Sequence, residues 1–208
     1  MLEIFLSSAG IAFVTLFPLV NPIGAIPVFI SLSTDFEPDY RAQQARKTAI
    51  NVIIILIVFF AIGELLLQFF GISIYVLKIA GGLIVAHTAW EMVTSKSKLS
   101  SEENTESHSK TDISFTPLAI PMLSGPGSIG AVISLSSHQK DILSYTGASA
   151  GIILIGIVSY ICLYLAMPLF KLLGKTGIGV LNRIMGFFIL AIAVGFITEG
   201  LKAVFQIK

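Results

Sequence analysis

The chain has 208 residues, of which 55% are hydrophobic and 12% charged, and its mean hydropathy is +0.91. This composition excludes an ordinary soluble domain and predicts a protein that crosses a membrane several times. The formal net charge is only +1, with no basic cluster outside short loops, which argues against nucleic acid as a partner.

The first apolar run, at about residues 4–33, is interrupted at residues 17–27 by three prolines, an asparagine and a glycine. Lipid offers no water to backbone groups, so a broken helix is tolerated only where protein or a wet cavity covers the break. Asn21 followed by Pro22 predicts a new helix, with the Asn21 side chain as its cap and Pro22 at its first position. We therefore expect a first span made of two half-helices that meet in mid-membrane.

Five further apolar runs lie at about residues 48–70, 72–94, 115–136, 142–173 and 178–205. Each is long enough for a hydrocarbon core of about 30 Å, which needs about 20 residues. Gly71 alone separates the second and third runs and indicates a tight hairpin. Residues 95–114 are rich in Ser, Glu, Lys and Thr and lack apolar periodicity. These features predict an all-α integral membrane protein with six spans. Residues 1–95 form one three-helix unit, residues 96–114 a flexible cytoplasmic linker and residues 115–208 a second unit.

The two units are similar in sequence. The nine residues from Lys78 align without gaps with the nine from Arg183, and residues 18–33 align with residues 117–136 with small gaps. Because each unit has three spans, the second must enter the membrane the opposite way round, as an inverted repeat with spans one and four both broken. Corresponding helices interrupted by Gly and Pro point to a transporter's binding site. The alternative is a chance match between apolar helices.

The basic residues predict the orientation. Nine of the 13 lysines and arginines fall in the first, third and fifth connections or at their edges, and four fall on the opposite side. Cytoplasmic loops carry the excess of basic residues. We therefore expect both termini on the non-cytoplasmic side of the cytoplasmic (inner) membrane.

Two segments carry a family resemblance: FPLVNPIGAIPVF at residues 17–29 and PLAIPMLSGPGSI at residues 117–129. Together they resemble the MarC family of bacterial six-span inner-membrane proteins, also grouped as small neutral amino acid transporters, and the similarity covers essentially the whole chain. The resemblance implies transport of amino acids such as glycine or alanine. The family's older name suggests drug resistance instead.

The residues at the two breaks also suit a small zwitterion. A helix start presents unpaired amides and about half a positive charge, which favour a carboxylate, and the glycines leave little bulk beside them. The predicted substrate site consists of Asn21, Pro22, Ile23 and Gly24 at the first break and Ser124, Gly125, Pro126, Gly127 and Ser128 at the second. The alternative is that the breaks only kink helices for packing.

Titratable residues inside spans are candidates for coupling to H⁺ or Na⁺. Glu64 ends the second span and Lys78 begins the third, where an ion pair between them or snorkelling is a simpler explanation than a proton relay. His87 and Glu91 lie one turn apart on the same face of the third span, and His87 can carry protons. We therefore name His87 and Glu64 as the coupling candidates.

Two other features have structural explanations. In the fifth span, the spacing of Gly147, Gly151 and Gly156 indicates close helix packing. Asn182 and Arg183 are expected to open the sixth span at the level of the cytoplasmic headgroups.

The sequence contains no enzyme signature: its three histidines are far apart in the predicted topology, and metal-ligand spacing and phosphate-binding glycine loops are absent. We therefore expect a secondary or passive transporter without cofactor or metal, whose partners are a small neutral amino acid and membrane lipid, with a homo-oligomer left open. The alternatives are an exporter of other small metabolites or drugs, and a non-transporting membrane scaffold or regulator.

Overall fold

The structure is a computed structural model that describes residues 1–94, 112–137, 139 and 141–206. Of the predicted linker, residues 96–111 lie outside these ranges. All regular secondary structure in the described residues is helical. The helices are α1 (Leu2–Val20), α2 (Pro22–Leu32), α3 (Pro38–Phe70), α4 (Ile74–Val93), α5 (Ser114–Leu123), α6 (Pro126–Ser137), α7 (Ile142–Tyr164) and α8 (Ala166–Phe205).

Five helices are long and apolar enough to cross a membrane, namely α1, α3, α4, α7 and the part of α8 at Thr176–Phe205. The pair α5 and α6, bent by 66° at the break between them, forms a sixth candidate. The prediction of an all-helical protein with several membrane spans is therefore confirmed.

The first apolar run changes helix at Asn21, which divides it into one long and one short helix; that these are two halves of one span stays a prediction. α1 has 19 residues and α2 has 11. At 1.5 Å per residue α1 is about 28 Å long, close to the thickness of the hydrocarbon core by itself. Pro18 lies inside α1 without ending it, so the helix reaches Val20.

The fifth span was predicted too long, at residues 142–173. α7 ends at Tyr164, and the chain continues from Ala166 as α8. Within α8, Gly174 has φ 66° and ψ 175°, a conformation that glycine adopts without a Cβ penalty, so the membrane-spanning part begins at Thr176. Hydropathy does not mark the end of α7, because the residues on both sides of Leu165 are apolar.

The short connection expected at Gly71 is present between α3 and α4. Gly71 ends α3 in the left-handed conformation, with φ 66°, and its N–H donates to the Gln68 carbonyl at 3.1 Å. Ser73 then caps α4, because its Oγ accepts the Val76 N–H at 3.2 Å. The two helices do not form a packed hairpin, because α3 packs mainly on α5, α6 and α7 and α4 mainly on α6 and α8.

The two most extensive helix contacts join α1 to α7 and α4 to α8. α3 packs on α5, α6 and α7, and α2 packs on α7 and α8. α6 also packs on α4. Glycines set the close approach of α1 and α7, since a Cβ on Gly147 or on Gly151 would lie 2.5 Å from the Phe5 or the Ala9 carbonyl oxygen. The prediction that these glycines serve helix packing is confirmed.

Buried side chains form one large core and one small one. The large core gathers residues of α1, α2, α3, α5, α6, α7 and α8, with Phe29 and Phe60 among its largest fully buried side chains. The small core lies between α4 and α8 around Val85, Met92 and Ile189. Large apolar side chains such as Phe69 and Phe187 are exposed on the outside, as expected where a helix faces lipid.

Candidate functional site

Asn21 builds the break between α1 and α2. Its backbone has φ 47° and ψ 61°, a left-handed conformation that asparagine adopts more readily than most residues. Its N–H donates to the Phe17 carbonyl at 3.0 Å and closes α1, while its Oδ1 accepts the Gly24 N–H at 3.1 Å and caps α2, which begins at Pro22. The predicted helix start, with Asn21 as cap, is confirmed.

The second break lies between α5 and α6. α5 is irregular, because Thr116 and Ile120 have extended backbones and are each followed by a cis proline. Ser124 and Gly125 separate α5 from α6, which begins at Pro126. One helix therefore ends and another begins at each of the two segments, and that each pair of helices forms one broken span stays a prediction.

The serines at the second break differ in their partners. Ser128 is buried, and its Oγ donates to the Leu123 carbonyl at 3.2 Å. Ser124 is also buried, at 1% exposure, and its Oγ has no hydrogen-bond partner among the described residues. A buried hydroxyl without a partner is uncommon in proteins, so Ser124 is an unsatisfied polar group at the second break.

A cavity of about 80 Å³ brings the two breaks together. Most of its wall consists of apolar side chains, including Val85 and Met92 of α4 and Ile189 of α8. Five of the predicted site residues line it: Asn21, Gly125, Pro126, Gly127 and Ser128. The other four, Pro22, Ile23, Gly24 and Ser124, are their neighbours in the chain and do not line it.

The size of this cavity limits what it can hold. Sites for drug-sized ligands have about 300–1,000 Å³, and a water molecule occupies about 30 Å³ of the liquid. Glycines keep the space open: a Cβ on Gly127 would overlap the Val85 side chain, and one on Gly125 would lie 2.7 Å from the Pro121 carbonyl oxygen. The cavity therefore admits a ligand of a few non-hydrogen atoms.

Asn182 lies beside the first break, which the sequence analysis did not predict. Its Oδ1 is buried without a hydrogen-bond partner in the described parts of the chain, 2.9 Å from the point where a Cβ on Gly24 would be. The expectation that Asn182 and Arg183 lie at the level of the headgroups stays a prediction. Asn182 lies six residues after the start of the candidate span at Thr176, and the next residue, Arg183, is exposed. A single amide within an apolar run is the signal that could have identified it.

A larger cavity of about 530 Å³ lies on the side of the bundle where α1, α4 and α7 begin. α1, α4, α6 and α8 contribute to the walls of both cavities. Its polar lining includes Ser8 and Thr15 of α1, Lys78 of α4 and Glu199 of α8, together with Asp141, whose carboxylate caps α7. Both cavities reach exposed residues, such as Ile11 at the large cavity and Ile84, Thr88 and Pro126 at the small one.

Lys78 pairs with Glu199 and not with Glu64. The Nζ–Oε2 distance is 3.0 Å, and the Lys78 side chain is 11% exposed. The expected pair with Glu64 is wrong because α4 packs along α8. Glu64 lies on an exposed part of α3 and lines a separate small pocket with Gln68.

The two coupling candidates lie away from the breaks. His87 and Glu91 share one face of α4, with 3.6 Å between Nε2 and Oε1, and the His87 side chain is 75% exposed. Neither His87 nor Glu64 lines the small or the large cavity. Their part in coupling stays a prediction.

On the opposite side of the bundle, α3 is bonded to the residues that precede α5. Lys47 Nζ lies 2.9 Å from Asp112 Oδ2, Ser114 Oγ donates to Asp112 Oδ1 at 2.6 Å, and Gln44 Oε1 accepts the Ile113 N–H at 3.1 Å. Burial raises the pKa of Asp112, but the hydrogen bonds from Ser114 and Lys47 outweigh it and lower the pKa to about 2. These contacts fix the beginning of α5.

Comparison with known proteins identifies relatives over nearly the whole chain. The model of the MarC family of integral membrane proteins matches residues 6–205. The UPF0056 membrane protein YvbG of Bacillus subtilis is 36% identical over 94% of both chains. The UPF0056 membrane protein YhcE of Escherichia coli is also 36% identical, over 93% of this chain and 91% of the relative. A UPF0056 membrane protein of Pyrococcus abyssi is 35% identical over the full length of both. No solved structure matches the chain.

Proposed function

The chain belongs to the MarC family of integral membrane proteins, and from this premise we propose that it is a secondary transporter of small neutral amino acids in the cytoplasmic membrane. The observation that carries the proposal is the small cavity in which both helix breaks meet. Residues more than 100 positions apart converge there, from the two segments that interrupt the apolar runs.

The chemistry of the cavity suits a zwitterion. The first N–H groups of a helix have no partner within the helix, and Gly127 and Ser128 in the first turn of α6 line the cavity. The amide at the start of α2 is already used, because Asn21 Oδ1 accepts the Gly24 N–H. We therefore assign the carboxylate to the start of α6, with Asn21 Nδ2 as a donor from the opposite wall.

The packing supports an inverted repeat of the two units. If α1–α4 and α5–α8 are equivalent, the contact of α2 with α8 must have a counterpart in the contact of α6 with α4, and both occur. The pairs α3–α7 and α4–α8 exchange their own members under the same relation, and both also occur. Transporters built this way bind substrate near the bilayer midplane, at broken helices.

The larger cavity supplies a route to the site. It shares four helices with the small cavity and has polar groups of Ser8, Thr15 and Lys78 along its wall. On the orientation derived from the basic residues, it faces the non-cytoplasmic side. The substrate enters or leaves by this route, and movement of one unit against the other opens the opposite side. Coupling to H⁺ or Na⁺, with His87 or Glu64 as the coupling group, belongs to the same proposal.

The volume of the small cavity supports an amino acid better than a drug, because about 80 Å³ is well below the usual size of a drug site. A non-transporting scaffold needs helix packing at the breaks, but it gives no reason for a cavity in which the two breaks meet.

Uptake into proteoliposomes tests the proposal. Vesicles with the purified chain should accumulate labelled glycine or alanine faster than protein-free vesicles, and unlabelled amino acid should compete. Glycinamide, which lacks the carboxylate, should compete at least tenfold more weakly than glycine. Flux equal to that of protein-free vesicles for glycine, alanine and serine would contradict amino acid transport.

A further inference from the structure

We propose that Asn182 is a substrate-binding residue whose Oδ1 accepts a hydrogen bond from the ammonium group of the amino acid, while the neighbouring Asn21 Nδ2 donates to its carboxylate. This inference rests on the proposed function and names the groups that bind the ammonium group and the carboxylate of the substrate. Asn182 lies outside the two motifs that carry the family resemblance, which end at residues 29 and 129.

The first observation is the unused acceptor. Of the buried side-chain nitrogen and oxygen atoms in the described part of the chain, three have no hydrogen-bond partner, namely Gln44 Nε2, Ser124 Oγ and Asn182 Oδ1. Buried polar atoms are nearly always hydrogen-bonded, since leaving one unpaired is costly. Ser124 lies at the second break and Asn182 beside the first. Neither side chain lines the small cavity, but Asn182 lies close to Asn21, which does.

The second observation is the position of the two amides. A Cβ built on Gly24 would lie 2.9 Å from Asn182 Oδ1 and 2.8 Å from Asn21 Cγ, so both side chains approach the same point from α8 and from the first break. The absence of a side chain at Gly24 is what allows this approach. Any larger residue there would separate the two amides.

The third observation is the orientation of Asn21. Its Oδ1 is held by the Gly24 N–H at 3.1 Å. Its Nδ2 points to Met92 Sδ at 3.7 Å, and a thioether is a weak acceptor. Asn21 therefore offers a poorly satisfied donor near the unsatisfied acceptor of Asn182.

An underused donor beside an unused acceptor matches a zwitterion, because a carboxylate accepts hydrogen bonds and an ammonium group donates them. A neutral amide at position 182 also suits a transporter. A carboxylate there would bind the ammonium group more tightly, but it would leave a buried, unpaired charge in the empty site. Asn182 recognises the ammonium group without that cost and allows release.

The competing explanation is that Asn182 bonds to Asn21 in another state and only links α2 to α8. The two explanations differ in which ligand is affected. An ammonium acceptor changes the preference for glycine over glycolate, which keeps the carboxylate and has a hydroxyl in place of the ammonium group. A structural link weakens both ligands equally.

The test measures dissociation constants of glycine and glycolate from the ligand-induced shift of thermal unfolding, with the purified full-length chain. Asn182→Leu and Asn182→Ala should each reduce the preference for glycine at least tenfold, and Asn182→Asp should retain it. Asn51→Leu is the matched control, because the Asn51 amide already has a partner within the chain and donates to Ser114 Oγ at 3.4 Å. Its preference should equal that of the wild type.

An unchanged preference in both Asn182→Leu and Asn182→Ala would overturn the inference, and so would an equal loss of glycine and glycolate. If the wild type binds glycine, either of these two results contradicts the role of Asn182 but does not contradict the proposed function. Absence of glycine binding to the wild type would overturn both. Asn182→Ala covers the case in which the bulk of leucine prevents folding.

Discussion

Lys78 of α4 and Glu199 of α8 form an ion pair of 3.0 Å, in which the lysine side chain is 11% exposed and the glutamate 64% exposed. The asymmetry matters because removing the exposed partner leaves a mostly buried charge, whereas removing the buried one does not. The pair also lies in the wall of the larger cavity and joins α4 to α8.

Replacing the two partners should therefore have unequal effects. Glu199→Gln should lower the free energy of unfolding by about 1 kcal/mol, since water still reaches the lysine in part. Lys78→Met should be nearly neutral, and Lys78→Met in the Glu199→Gln background should restore stability. Thermal unfolding in detergent measures this, at about 2–4 °C per kcal/mol for a chain of this size. Glu64→Gln is the control and should leave the melting temperature unchanged. A fall in melting temperature with Glu64→Gln equal to that with Glu199→Gln would restore the pairing with Glu64.

Gly127 and Gly130 give a matched pair on α6. A Cβ on Gly127 would overlap Val85 in the wall of the small cavity, whereas one on Gly130 meets nothing within 4 Å. Gly127→Ala should lower amino acid uptake at least tenfold, and Gly130→Ala should transport as the wild type does. Both variants should insert in equal amounts. Equal uptake by the two would show that the small cavity is not on the substrate path.

Asn21 combines a backbone role with a side-chain role, and two substitutions separate them. Asn21→Gly keeps the left-handed conformation and should cost a few tenths of a kcal/mol of stability, while Asn21→Leu loses the cap, worth about 1 kcal/mol, and strains the backbone. Both should lose substrate binding, because both remove Nδ2. Binding of glycine by Asn21→Gly with wild-type affinity would exclude Asn21 from the site.

Asp112 predicts a pH dependence of stability. Its folded-state pKa is about 2, below the ordinary value of 3.8, so its contacts stabilise the fold above about pH 4 and this contribution is lost as the pH falls towards 2. Asp112→Asn should be less stable than the wild type at pH 6, and the difference should shrink between pH 4 and pH 2. Lys47→Met, which removes one of its partners, should reduce the same difference. A difference in melting temperature between the wild type and Asp112→Asn that stays constant from pH 6 to pH 2 would contradict this role.

The orientation is tested with cysteines placed at Ser101 and Lys140, two positions outside the described residues, after replacement of Cys162. A membrane-impermeant thiol reagent added to intact cells should label position 140 and leave position 101 unlabelled until the cells are opened. The reverse pattern would place the termini in the cytoplasm and overturn the orientation inferred from the basic residues.

Much of the first break could be predicted from sequence, because its contacts are local. Asn21 bonds to Phe17 and Gly24, four residues before it and three after it, and such caps depend on residue type and spacing alone. The turn between α3 and α4 at Gly71 is local in the same way. The end of α7 at Tyr164 was missed because the apolar pattern continues through it.

Composition and local spacing determined that this chain forms membrane-spanning helices, where two of its apolar runs are interrupted, and which residues cap the helix that follows the first break. Only the tertiary structure decided that Lys78 meets Glu199, 121 positions away, and that Asn182 approaches Gly24. The physical reason is that hydropathy specifies which face of a helix avoids water, but in lipid nearly every face is apolar. The choice of helix neighbours then depends on close contacts of small residues such as Gly147 and Gly151, and these contacts are made between segments far apart in the chain.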